Sequence, residues 1–324
     1  MAKYKVMMTD TCFTDISIER ELLERQDAEL VLAPSIDEDV LIECGKDADG
    51  VIFDYAELNE HVLNGWKKCK VVSRVGIGVN TVDIPAAGRC GIMVANVPDY
   101  CLDEVADHAM ALFLAVARRI VQYNTNVHGG SWEVYGPGPM KRLQARRMCL
   151  VGFGHIAQNV AKRAQAFGLD VYAFDPYVSE QVFADKGVTR VETMEKLAEK
   201  ADVLSIHVPL TEETEHSISK NVFSRMPEGA ILINTARGPI VDEKALTKAL
   251  QEGKLMGAGL DTVEEEPLPM DSPLREMGNV IITPHVAFLS EEAEIELRER
   301  SAQEVMNALL EGAPHSFINR DAFA

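Results

Sequence analysis

The sequence predicts an α/β protein of two lobes, each a parallel sheet covered by helices. Three observations point there. Short apolar runs alternate with stretches of helical spacing along nearly the whole chain, as strands joined by helical crossovers do. A Gly- and Pro-rich loop, "NVHGGSWEVYGPGP" (126–139), interrupts this alternation, and a second series of the same kind follows it. In that second series "VGFGHIA" (151–157) joins an apolar strand to a helix through two glycines, unusually far from the start of the chain.

In the first series "YKVMM" (4–8), "AELVLA" (28–33), "DGVIF" (49–53), "KVVSRV" (70–75) and "GIMVA" (91–95) read as strands. "ISIERELLERQ" (16–26) and "EDVLIECG" (38–45) have helical spacing. "DEVADHAMALFLAVARRIVQY" (103–123) reads as one long helix capped by Asp103. Its apolar residues cover more than one face, which predicts burial between lobes or subunits. It is too short, and too polar at its ends, to span a bilayer. The second series of strands is "MCLVG" (148–152), "DVYAFD" (170–175), "DVLSIHV" (202–208), "AILIN" (230–234), "MGAGLD" (256–261) and "NVIIT" (279–283). A helix over 290–312 ends it, with Ser290 as N-cap and Glu291 and Glu292 in its first turn.

The 324 residues suffice for two domains, and 47% hydrophobic content suffices for their cores. With 32 Lys and Arg against 51 Asp and Glu, the net charge is −19. Such a chain repels phosphate backbones and anionic membranes, so neither nucleic acid nor membrane is an expected partner. The basic stretch "KRLQARR" (141–147) is brief and reads as a solvated connector. The cysteines at 12, 44, 69, 90, 101 and 149 have neither C-x-x-C nor metal-ligand spacing. They suit free thiols in a reducing, cytoplasmic compartment, and no metal is expected. The N-terminus "MAKYKVMMTD" reads as a first strand rather than a leader.

The glycine turn is the first chemical signal. Gly152 permits a tight turn, Gly154 lets the backbone approach a pyrophosphate, and the third position needs only a small residue, here Ala157. Behind it Ile156, Val160, Ala164 and Phe167 share one helical face, with Gly168 as a stop. Amides at the helix start would then face the phosphates. Asp175 ends the next strand 21 positions after Gly154, where a carboxylate accepts from ribose hydroxyls and opposes a 2′-phosphate. NAD is expected rather than NADP.

Three later strands end in polar residues: Arg237 in "ILINTARGPIVDEKAL", Asp261 and an acidic turn in "GAGLDTVEEEPLP", and His285 in "NVIITPHVAFLS". In an open α/β sheet, ligands bind beyond the carboxyl ends of strands. Singly, each has a plain reading: a surface pair of Arg237 with Asp242, a solvated acidic turn, a satisfied strand-end histidine. Together they meet the needs of 2-oxo acid reduction. Arginine engages a carboxylate with two donors. Histidine near a carboxylate donates a proton to the carbonyl oxygen.

The chain resembles the D-isomer-specific 2-hydroxyacid dehydrogenase family over nearly all its length. "RVGIGVNTVDIPAAGRCGIMVANVP", "DEVADHAMALFLAVARR", "VGFGHIA", "AFDPY", "HVPLT", "INTARGPIVDEKAL", "LDTVEEEPLP" and "TPHVAF" carry the resemblance, in family order. The resemblance implies that Arg237 orients the substrate, His285 is the general acid or base, and Glu266 is its partner. It places Asp261 on the nicotinamide carboxamide, and His207, Val208, Pro209 and Thr214 on the adenine and ribose side. The cofactor contacts it implies also include His155, Ile156, Pro176, Thr235, Ala236 and Val105. Backbone N–H groups from Val75 through Gly78, a segment that includes Gly76 and Ile77 and follows Arg74, would take the substrate carboxylate. Formate dehydrogenases share this fold but typically carry glutamine where Glu266 stands, so Glu266 favours oxo-acid chemistry.

The resemblance also implies a flavodoxin-like substrate-binding lobe of residues 1–101 and 289–324. A Rossmann NAD-binding domain, 102–288, is inserted into it. The helix at 103–123 and the loop after it imply a homodimer. "VPDYCLDEVADHA", "HVAF" and Tyr55 are most similar to the branch holding C-terminal-binding-protein-type dehydrogenases and hydroxypyruvate–glyoxylate reductases. There, positions matching Tyr55 and Phe288 line the substrate pocket, although Phe288 stands where that branch often has tryptophan and core packing is the alternative for both. The rivals are D-3-phosphoglycerate dehydrogenase and an NADH-sensing binding protein without turnover. Against the first, "FDYAELNE", "SRVGIGVN" and "PDYCLDE" offer a phosphate only Arg74, and no regulatory domain is expected after the last helix. Against the second, the full Arg–Glu–His set is present. An unphosphorylated 2-oxo acid is the expected substrate.

Overall fold

In the computed structural model, which describes residues 2–323, the apolar runs form strands and their neighbours form helices. The chain begins β1 (Tyr4–Met8), α1 (Ser17–Glu24), β2 (Ala28–Leu32), α2 (Glu38–Gly45), β3 (Gly50–Phe53), α3 (Glu60–Gly65), β4 (Val71–Arg74), α4 (Ile84–Arg89) and β5 (Met93–Ala95). Next come α5 (Leu102–Ala117), α6 (Ile120–His128), β6 (Arg147–Val151), α7 (His155–Ala166), β7 (Asp170–Phe174), α8 (Glu180–Asp185) and β8 (Thr189–Arg190). The remainder is α9 (Met194–Lys200), β9 (Val203–Ile206), α10 (Lys220–Arg225), β10 (Ala230–Asn234), α11 (Glu243–Gln251), β11 (Leu255–Leu260), β12 (Val280–Ile282) and α12 (Glu291–Glu311).

Two compact units result: Met1–Tyr100 with Ser290–Ala324, and Cys101–Leu289. In the first, the strands run parallel in the order β2-β1-β3-β4-β5, a flavodoxin-like order. All of β3 is buried, as a strand covered on both faces must be. In the second, the order is β12-β11-β10-β9-β6-β7-β8, again parallel. Strand order reverses between β6 and β9, the doubly wound arrangement of dinucleotide-binding folds. Side-chain alternation divides its core between the two faces. Met148 and Leu150 of β6 join α5 and α7, whereas Cys149 and Val151 join α9, α10 and α11.

The expected helix over 103–123 is two helices. Its N-cap is Cys101 rather than Asp103, and the chain turns at Arg119, whose φ is +54°. The Arg119 guanidinium holds that bend by donating to Gln122 Oε1 (3.2 Å) and the Pro139 carbonyl (3.3 Å). Asp103 instead pairs with Arg163 of α7 at 2.9 Å.

The C-terminal helix forms as the sequence predicts, with Ser290 Oγ accepting from the Ala293 N–H at 3.0 Å. It packs on α1, β3 and β4. Arg298 secures it, with a side chain only 3% exposed beside a fully buried Glu19. Its Nε and Nη2 donate to the two Glu19 carboxylate oxygens at 2.7 and 2.8 Å, and Nη2 also to the Asp15 carbonyl at 2.8 Å. The guanidinium stacks 4.8 Å from the Phe13 ring centre.

All six cysteines are free thiols; Cys69, Cys101 and Cys149 are buried, while Cys12 is exposed. Among the described residues no helix is long and apolar enough to cross a membrane, and no cluster of His, Cys, Asp and Glu could hold a metal.

Candidate active site

The glycine turn follows β6 at the point where strand order reverses. Gly152 has φ +88°, and a Cβ there would lie 2.7 Å from the His207 carbonyl oxygen and 2.8 Å from Val208. Only glycine fits between the two central strands. Gly154 is the N-cap of α7, with open space where a Cβ would project. That space in front of the amides of His155 and Ile156 is a cradle for a phosphate, so these residues fit a dinucleotide. Asp175 is fixed at the rim: Oδ2 accepts from the Phe153 N–H at 2.8 Å, and Oδ1 accepts from the N–H groups of Tyr177 (2.8 Å) and Val178 (3.3 Å). Its negative charge beside the turn suits unsubstituted ribose hydroxyls.

Beyond β9, His207 Nε2 meets Ser205 Oγ at 2.8 Å, and burial pushes the imidazole down to about 4, so it is neutral at physiological pH. The loop from Pro209 closes on itself through Thr214, whose Oγ1 donates to the Pro209 carbonyl at 2.7 Å. Pro176 is exposed, and Val105 is buried in the first turn of α5. Thr235 is buried at the end of β10 with its hydroxyl unpartnered among the described residues, a group a bound nicotinamide end would satisfy. Ala236 N–H is held by Asn234 Oδ1 at 3.0 Å.

Arg237 follows directly; its Nη1 donates to the Ala236 carbonyl at 2.7 Å, and the Arg237 carbonyl accepts from Asn234 Nδ2 at 2.9 Å. Asp242 caps α11 by accepting from the Ala245 N–H at 2.9 Å. His285 Nδ1 meets Glu266 Oε2 at 2.9 Å, with both side chains partly exposed. The other Glu266 oxygen accepts from the Val263 N–H at 3.2 Å. Burial works to raise the Glu266 carboxyl, but His285, the Val263 N–H and the Arg237 charge together hold it below its usual range. Arg237, Glu266 and His285 therefore share one electrostatic neighbourhood. His285 Nε2 has no hydrogen-bond partner among the described residues.

Asp261 is braced within its own loop. It is 2% exposed, and its carboxylate accepts from Thr283 Oγ1 (2.6 Å) and from the N–H groups of Val286 and Ala287 (2.9 Å each). Its carbonyl accepts from the His285 N–H at 2.8 Å. Its side chain anchors the turn that presents His285. That turn needs an anchor, because His285 has φ +54°, a strained conformation for a side chain of this kind. His108 adds to the anchor, with Nε2 2.9 Å from Thr283 Oγ1. Thr283 and His108 lie inside the motifs "TPHVAF" and "DEVADHAMALFLAVARR", but at 175 positions apart nothing in either stretch announces their contact.

In the first unit two of the four expected carboxylate amides are already committed. Val75 N–H donates to the Phe53 carbonyl (2.8 Å), continuing the β3–β4 ladder, and Gly76 N–H turns back to the Arg74 carbonyl (3.0 Å). Ile77 and Gly78 lie past the pairing, and their N–H groups are uncommitted among the described residues. Arg74 is tied to buried Asp54 at 3.4 Å and to the Val75 carbonyl. Tyr55 is 55% exposed in a loop whose amides, from Asp54 to Ala56, are gathered by the Asp10 carboxylate. Phe288 is half-buried at the end of the second unit.

The second unit is thus a dinucleotide-binding α/β domain carrying an arginine and a histidine–glutamate pair beyond its strand ends. Residues 110–287 match the family described as D-isomer specific 2-hydroxyacid dehydrogenase, NAD binding domain, and the chain belongs to that family. It is 38% identical over 297 residues to a D-3-phosphoglycerate dehydrogenase of Methanocaldococcus jannaschii, covering 90% of this chain but 54% of that protein. The chain thus spans about half the length of that relative. It is also 38% identical over 287 residues to a glyoxylate reductase of Korarchaeum cryptofilum, covering 87% of this chain and 86% of the relative. Among solved structures, D-lactate dehydrogenase of Aquifex aeolicus, complexed with NAD and lactic acid, superposes with a TM-score of 0.85 at 29% identity, over 95% of this chain and 96% of that one.

Proposed function

We propose that the chain is an NADH-dependent reductase of a small, unphosphorylated 2-oxo acid, of the glyoxylate–hydroxypyruvate type or with an apolar side chain. The observation that carries the reading is the His285–Glu266 pair beside Arg237. The Gly152–Gly154 turn and Asp175 would hold NADH, which would supply the hydride for the carbonyl carbon. Glu266 accepts from Nδ1 and so orients the ring, which leaves Nε2 to carry the proton that His285 delivers to the carbonyl oxygen. Arg237 engages the oxo acid and polarises its carbonyl. In the first unit, the amides of Ile77 and Gly78 are the candidate partners of the substrate carboxylate. On this reading residues 1–101 and 289–324 are the substrate-binding domain and 102–288 the NAD-binding domain.

Two relatives support different substrates. The Korarchaeum protein is a glyoxylate reductase, and the Methanocaldococcus protein acts on a phosphorylated acid by name. The state of Arg74 favours the unphosphorylated one, since it is held by Asp54 and the Val75 carbonyl. A phosphate brings about two negative charges that need uncommitted cations. A turnover panel with NADH and glyoxylate, hydroxypyruvate, pyruvate, branched oxo acids and phosphohydroxypyruvate separates the two. Preference for an unphosphorylated acid is expected; a higher kcat/KM for phosphohydroxypyruvate sinks this assignment.

A homodimer is part of the same reading. Its support is apolar surface on α6 and the following loop, where Ile120, Val121 and Val127 are about half exposed and Trp132 and Tyr135 are 86% and 89% exposed. Light scattering should give twice the 35.7 kDa chain mass, and a monomer at micromolar concentration contradicts it.

A further inference from the structure

The three adjacent glutamates of the acidic turn have three different surroundings, and the reaction above uses only Glu266. Glu265 is exposed. Glu264 is bonded on several sides. Its N–H donates to Glu243 Oε2, and the Glu243 N–H donates back to Glu264 Oε2, both at 3.2 Å. This reciprocal pair ties the turn to the first residue of α11. The second carboxylate oxygen, Glu264 Oε1, meets His216 Nε2 at 3.0 Å. His216 in turn donates its N–H to the Pro239 carbonyl at 2.8 Å.

Pro239 lies two residues after Arg237, and Gly238 lies between them. The Gly238 backbone rests so closely on the turn that a Cβ there would overlap the Val263 carbonyl and come within 2.6 Å of the Glu264 nitrogen. On the far side of the same turn, Val263 N–H holds Glu266, and Glu266 holds His285. The Arg237 segment, the His216 loop and the start of α11 therefore all fasten to the Glu266 turn at Glu264.

The arrangement is unfavourable in its parts. His216 has φ +48°, outside the range a side chain prefers, and two carboxylates face one another. Burial, together with the charges of Glu264 and Glu265, raises the Glu243 carboxyl even though the Glu264 N–H opposes the shift. Local strain of this kind persists where the surroundings over-determine a geometry, commonly beside functional sites.

We propose that Glu264 is a positioning residue, whose clasp on Glu243 and His216 sets the spacing between Arg237 and the His285–Glu266 pair. The inference rests on the reductase reading. Arg237 and His285 must address one carbonyl group together, so loosening the clasp disturbs both substrate orientation and proton delivery. The glycine turn and Asp175 lie outside the clasp, whereas Thr214 stands two residues before His216 on the clasped loop, so the clasp acts more strongly on the oxo acid than on NADH.

The test compares wild type, Glu264→Ala, Glu264→Gln and His216→Asn. It uses NADH oxidation with glyoxylate and pyruvate, NADH titration by fluorescence, and thermal melting. For Glu264→Ala, kcat should fall about 10–100-fold with a raised KM for the oxo acid and a much smaller change in the NADH dissociation constant. Glu264→Gln keeps an oxygen for the Glu243 N–H and should recover to within about threefold of wild type. His216→Asn tolerates the left-handed backbone, leaves α11 untouched, and should show an intermediate loss even where Glu264→Ala does not fold. A lowered melting temperature with wild-type kcat and KM in Glu264→Ala, or wild-type kinetics in His216→Asn, overturns the inference. Absence of turnover in wild type on every oxo acid is a separate result, and it removes the reductase reading itself.

Discussion

Replacing His285 with alanine is expected to lower 2-oxo acid reduction by about 10²–10⁴-fold, the range a positioned general acid supplies. NADH binding should survive, because the glycine turn, Asp175 and Thr214 are held by bonds that do not involve the imidazole. Glu266→Gln should cost less. Glutamine can still accept from Nδ1, but its charge no longer favours the imidazolium that donates the proton. The sign of the pH effect follows. Glu266 is held below the usual carboxylate range, so it stays ionised across neutral pH. The stability it contributes is present above that range and is lost as pH falls through its depressed value. Reduction should fall as pH drops through the depressed Glu266 value, because the carboxylate that orients His285 is then lost. Full turnover in His285→Ala contradicts the assignment. NADH binding without turnover in wild type would favour the sensor reading.

The largest effect on stability is expected at Arg298. Changing it to methionine leaves Glu19 buried without its two donors and removes the cation that ties α12 to α1. Breaking a buried pair from one side costs about 3–5 kcal/mol, against which the retained apolar stem recovers little. The neighbouring Asp15 carboxyl is pulled down to about 2, chiefly by Ser17 and also by Arg298. Urea unfolding should register the loss in the first unit. Adding Glu19→Leu to Arg298→Met should recover much of it, since the uncompensated charge is then gone. A loss below about 1 kcal/mol in the single variant would mean that water reaches Glu19 after all.

Most of the fold is legible in the sequence because each strand is a short apolar run bounded by polar turns. The runs at 4–8 and 230–234 coincide with β1 and β10 residue for residue. Several elements are too short or too local to leave a periodic trace. α3, α4 and α10 are six residues each, and β8 is two. The break at Arg119 depends on hydrogen bonds to Gln122 and Pro139 that no hydrophobic pattern encodes.

The site divides in the same way. Gly152, Gly154, Arg237, Glu266 and His285 stand at strand ends with recognisable neighbours, and the structure brings Glu266 to His285. Asp261 is legible as a strand-end carboxylate, but the loop it braces is not. A carboxylate at a strand end can point outward or back into its own loop, and here it turns back to brace a left-handed His285. Arg298 and Glu19 are 279 positions apart, so nothing in either local sequence announces their pairing. The roles of Glu264 and Glu243 are equally silent, since an acidic turn reads as solvated surface until its partners are seen.

The central claim is that Arg237, Glu266 and His285 reduce an unphosphorylated 2-oxo acid with NADH. Its most direct test is to incubate the wild-type protein with NADH and a panel of such acids, and to measure NADH consumed together with the handedness of the hydroxy acid formed from pyruvate or a branched oxo acid. One D-2-hydroxy acid per NADH is expected; an L product, or no product from any unphosphorylated acid, contradicts the assignment.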